Sequence, residues 1–87
     1  LDVAFDKAAL RFLNKADRIL AGRITEKAES LRHCPVPADA QRVAGSTRKL
    51  FRVRIGDYRV FYEIFYELNQ LRIVRIDHRS RAYDRIT

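Results

Sequence analysis

The sequence predicts an α+β fold: a short N-terminal strand, a helical hairpin, then a three-stranded antiparallel meander packed on the helices. Three observations carry this. Apolar residues recur at steps of three and four through the first third of the chain, but alternate in the second half. A Gly56-Asp57 pair separates two alternating runs, the mark of a two-residue hairpin turn. Residues 1–87 are read as one domain, because neither flank of the central loop is large enough to fold alone.

Taken in order, LDVAF at residues 1–5 suits a short strand. Asp6 offers an N-cap oxygen to a helix over 7–15, and Asp17 does the same for a second over 18–32. Leu10, Leu13, Ala16, Leu20, Ile24, Ala28 and Leu31 make one apolar stripe, which is read as core. Gly22 costs the second helix about 1 kcal/mol relative to Ala, so packing must hold it. Residues 33–46 contain both prolines and Gly45 and form a connecting loop. Strands are expected over 49–55, 58–66 and 71–77, with short connections that make them antiparallel.

A type II′ turn at Gly56-Asp57 sets Ile55 opposite Tyr58, Arg54 opposite Arg59, Val53 opposite Val60, Arg52 opposite Phe61 and Phe51 opposite Tyr62. Alternation then puts Phe51, Val53, Ile55, Tyr58, Val60 and Tyr62 on the helix-facing side. Arg52, Arg54, Arg59 and Phe61 share the other side. A slip of one residue would bury three arginines, so the register is firmly enforced. Opposed like charges cost a fraction of a kcal/mol, and Glu63 can neutralise only one of them. Such a cluster suits an anion, and an aromatic ring at Phe61 offers a nucleic-acid base a stacking surface.

Overall charge agrees. The formal net charge is +7, and 14 of the 18 cations are arginine, the side chain suited to bidentate contact with phosphate or carboxylate. The positive excess lies in the second half. Its tail, RIVRIDHRSRAYDRI, adds Arg75, His78, Arg79, Arg81, Tyr83 and Arg85, although ELNQ could turn in several ways and leaves the last register open. One cysteine, Cys34, excludes a disulfide framework and a cysteine-based zinc cluster. No metal-ligand spacing, nucleotide-binding glycine loop or nucleophile constellation is present. His33 falls at a helix end, where a capping or surface role is commoner than acid–base pairing with His78. No apolar run approaches a membrane span, and a bacterial or archaeal cytoplasm is expected.

FDKAALRFLNKAD, RVAGS, LFRVRIGDYRVFYEI and RIDHRSRAY together resemble the RelE/ParE toxin superfamily of toxin–antitoxin modules. The likeness covers nearly the whole chain and is greatest to short archaeal and bacterial members of the RelE branch. It implies a ribosome-dependent, metal-independent endoribonuclease without a cofactor, which cuts mRNA in the A site by 2′-OH attack. It also implies inhibition by a cognate acidic, RelB-like antitoxin in a hetero-oligomer. Carried over by motif, the catalytic surface maps onto Arg52, Arg54, Arg59, Arg79 and Tyr83. Of the site residues, Arg54, Arg59, Arg79 and Tyr83 are read as catalytic, and Arg52, Phe61, His78 and Arg81 as RNA contacts. The chain departs from the best-studied pattern in having Arg52 and Arg54 for lysines, Asp77 for the glycine before HR, and a shorter spacing to Tyr83. A ParE-like gyrase inhibitor without nuclease activity is the alternative, and a passive RNA-binding module is a third reading.

Overall fold

The computed structural model describes residues 1–45 and 49–80. Strand β1 (Asp2–Phe5) leads into helices α1 (Lys7–Lys15) and α2 (Arg18–His33), followed by β2 (Gln41–Arg42), β3 (Leu50–Ile55), β4 (Tyr58–Phe65) and β5 (Gln70–His78). The expected meander β3-β4-β5 forms the centre of a five-stranded sheet of order β1-β5-β4-β3-β2. The sheet is mixed, because β1 runs parallel to β5, with Val3 opposite Leu71 and Phe5 opposite Ile73. Two features were not read from sequence: the parallel docking of β1, and the two-residue β2, which pairs Gln41 with Arg52. No helix among the described residues is long and apolar enough to cross a membrane.

The helix caps divide. Asp17 accepts from Leu20 N at 2.9 Å and caps α2 as expected. Asp6 occupies the N-cap position of α1 but makes no side-chain cap; its carboxylate reaches Arg72 at 2.9 Å. The break at Ala16, which is extended, also resets the helical phase. Ala9 is therefore buried in α1, with Phe12 and Leu13 packed beside the core, while Leu10 of the predicted stripe is exposed. In α2 the stripe holds: Ile24, Ala28 and Leu31 are buried.

These side chains meet Val53, Ile55, Val60, Tyr62, Ile64, Leu71, Ile73 and Ile76 from the sheet in one core. The hydroxyl of Tyr62 donates to the Pro35 carbonyl at 2.7 Å, which fastens the loop after α2 beneath the sheet. Burial pushes this phenol well above its ordinary pKa, so it stays protonated as a donor. On the opposite side of the sheet a second, smaller cluster joins Phe61 and Val43, with Leu50 packed against them.

Candidate functional site

The hairpin has the predicted register throughout, with Arg54 opposite Arg59 and Arg52 opposite Phe61. Gly56 takes φ +58 while Asp57 keeps a negative φ, as a type II′ turn requires. The like charges do not stand bare against each other. Arg52 donates through Nη2 to Gln41 Oε1 at 2.8 Å, and Arg54 donates through Nε to the Gly56 carbonyl at 3.2 Å. Arg59 lies opposite Asp77 on β5. Its Nη1 is buried without a hydrogen-bond partner among the described residues. A buried donor left unmade costs free energy, about 1–3 kcal/mol.

Arg52, Arg54 and Arg59 line one open groove of about 380 Å³ together with Asp39 and Gln41. Asp39 forms an ion pair with Lys27 at 2.8 Å, and this hydrogen bond holds its carboxyl below the usual aspartate range. Gln41 and Asp39 were missed in the sequence because both lie in the stretch read as a plain loop. On β5, Arg75 Nε approaches Asp77 Oδ2 to 2.7 Å, though not in hydrogen-bonding geometry. The same guanidinium lies over the Phe61 ring, 4.9 Å from its centroid. Asp77, the acidic departure from the family motif, is thus charge-compensated by Arg75.

Arg79 is exposed at the turn end of the hairpin. Its backbone N donates to the Asp57 carbonyl at 2.7 Å, and its Nε stands 3.9 Å from Asp57 Oδ1. Phe61 does not offer the expected stacking surface. It is 1% exposed, covered by Val43 and Leu50, so a base cannot reach its face in this conformation. Nor does His78 join the arginines. The turn after β4 closes with Asn69 in the left-handed region, and a bulge at Phe61/Tyr62 shifts the β4–β5 register. His78 consequently faces Tyr58 on the helix side, edge-on at 5.3 Å, and its Nδ1 meets Ser80 Oγ at 2.9 Å. It borders a separate depression with Phe12 and Ile76. Arg81 and Tyr83 lie outside the described residues. Among the described residues no three His, Cys, Asp or Glu side chains gather as metal ligands.

Comparison with known proteins identifies the family and the fold. The family model for the ParE toxin of the type II toxin–antitoxin system parDE matches residues 3–83. The toxin fold of the archaeal RelE–RelB complex from Pyrococcus horikoshii OT3 superposes with a TM-score of 0.80 at 28% identity, covering 93% of this chain and 97% of that one. The RelBE2 toxin–antitoxin complex of Mycobacterium tuberculosis gives 0.77 at 29% identity, covering 90% and 96%. The isolated RelE toxin of E. coli shares the fold with a TM-score of 0.76 at 17% identity, covering 99% and 98%. No curated protein matches at a significant level. On the extent of the family match and the agreement in fold, the chain belongs to the ParE toxin family of type II toxin–antitoxin systems, within the RelE/ParE superfamily.

Proposed function

We propose that this toxin is a ribosome-dependent endoribonuclease that cuts mRNA in the A site, and that a small acidic RelB-like antitoxin restrains it in the cytoplasm. The observation that carries this reading is the open groove that Arg52, Arg54 and Arg59 line together. Three guanidinium groups on paired strands suit the non-bridging oxygens of a phosphodiester, whose charge grows in the transition state. In the reaction the 2′-oxygen bonds to the adjacent phosphorus and gives up its proton. The bond from phosphorus to the 5′-oxygen breaks, and that oxygen takes a proton, leaving a 2′,3′-cyclic phosphate and a 5′-hydroxyl. Arg54, Arg59 and Arg79 stabilise charge and orient the phosphate. Arginine holds its proton too tightly to act as a base. Proton transfer falls to Tyr83 or to groups of the ribosome and the substrate, and His78, on the helix side, takes no part.

The antitoxin proposal draws support from the archaeal and mycobacterial neighbours, each of which is a toxin–antitoxin complex. The second reading, a gyrase inhibitor without nuclease activity, draws support from the family model itself, which describes ParE. One experiment separates them. The purified toxin is incubated with programmed ribosomes and with naked mRNA, and transcript ends are mapped beside a gyrase supercoiling assay. Cuts on ribosomes alone are expected. Intact mRNA on ribosomes together with inhibited supercoiling would replace this proposal with the second reading.

A further inference from the structure

A second groove of about 380 Å³ lies on the other side of Arg54, between α2 and the end of β3. Arg23, Glu26, Lys27 and Ile55 line it, and Arg54 belongs to both grooves. Among the described residues β2 pairs only with Phe51 and Arg52, so the β3 edge at Arg54, the residue shared by the two grooves, has no strand beside it. Arg23 reaches across from α2 to the hairpin turn: a Cβ built on Gly56 would stand 3.6 Å from its Nη1. Lys27 is held by Asp39 at 2.8 Å, so these two charges largely cancel at the boundary. Arg54 and Arg23 then carry the line of guanidinium groups from the hairpin onto α2, where Glu26 is the carboxylate among the lining residues.

We infer that the substrate track does not end at the hairpin but continues over Arg54 to Arg23 on α2, where it grips a phosphate flanking the cleaved position of the same RNA strand. This rests on the ribonuclease reading and adds to it a second binding site, on a helix that the catalytic motif does not include. Charge complementarity selects the occupant: a single-stranded polyanion repeats its phosphates along its length and can follow a line of guanidinium groups from the hairpin onto α2.

The test uses the 87-residue chain with 2′-O-methyl RNAs of three and ten nucleotides, in which the attacking hydroxyl is blocked. Affinities are measured across a salt series for the wild type, Arg23→Ala, Arg23→Lys and Arg54→Ala. Arg23 is exposed, so its replacement leaves the fold intact, which a melting curve checks. The expected result is a several-fold loss for the longer RNA in Arg23→Ala and no change for the shorter one. The slope of log affinity against log salt should become shallower by about 0.7, the value for one phosphate contact on a single strand. Arg23→Lys restores most of the loss, and Arg54→Ala weakens both RNAs. Equal affinity and slope in the wild type and Arg23→Ala would overturn the extended track alone, as would failure of the wild type to bind either RNA at low salt. Failure of the ribonuclease reading is seen separately, as intact mRNA on programmed ribosomes.

Discussion

The two faces of the β3–β4 hairpin carry the same register but obey different rules. On the helix side, Val53, Ile55, Val60 and Tyr62 are buried in the order that alternation dictates. On the other side alternation says only what cannot enter the core. What happens there is decided by neighbours: Gln41 takes Arg52, Gly56 takes Arg54, and Val43 covers Phe61. The first face is packed core, while the second sets guanidinium groups, held by local polar partners, beside the buried Phe61 ring.

Three substitutions probe this division, in order of effect. Val60→Asp places a carboxylate among α2 and sheet side chains with no partner, and should unfold the protein, read as loss of the cooperative urea transition. Phe61→Ala should cost about 3–5 kcal/mol, because the ring is core on its own side of the sheet. A cost under about 0.5 kcal/mol would mean that Phe61 is a surface ring after all. Asp77→Asn should cost about 1–3 kcal/mol in the same assay, since it removes the charge that Arg75 approaches in a nearly buried position.

The smallest effect lies at the rim. The hydrogen bond from Lys27 lowers the Asp39 carboxyl pKa, so the favourable contribution is present above the ordinary aspartate range and is lost as pH falls through the lowered value. Titration of the side-chain carboxyl by NMR should find it below free aspartate, and Lys27→Ala should return it to the usual range. An unchanged titration in Lys27→Ala would remove this ion pair from the groove.

Much of this division was legible in the residues. Gly56-Asp57 fixes the hairpin, and the bulk of the helix-facing core follows from it. Asp17 announces α2 because capping is local chemistry. The misses are all tertiary. Asp6 looks like the same cap, but Arg72, far along the chain, takes its carboxylate. Leu10 fits a stripe that holds only if two helices share one phase, which the extended Ala16 prevents. The burial of Phe61 depends on Val43 in a stretch with no strand pattern, and the side taken by His78 depends on a bulge and a left-handed Asn69. The arginines were found early because charge on one face of a strand is visible to alternation. Asp39, Gln41 and Arg23 were not, because only the fold brings them to those arginines.

The most direct test compares mRNA cleavage on programmed ribosomes by the wild type and Arg59→Ala, with melting temperatures measured on the same preparations. Arg59→Ala removes an opposed like charge and an Nη1 that has no hydrogen-bond partner among the described residues, so the fold should persist, with stability unchanged or slightly raised. Cleavage should fall by about 100-fold or more, the usual loss when one donor to a transition-state oxyanion is removed. Cleavage by Arg59→Ala at the wild-type rate would contradict the assignment of this face to phosphate.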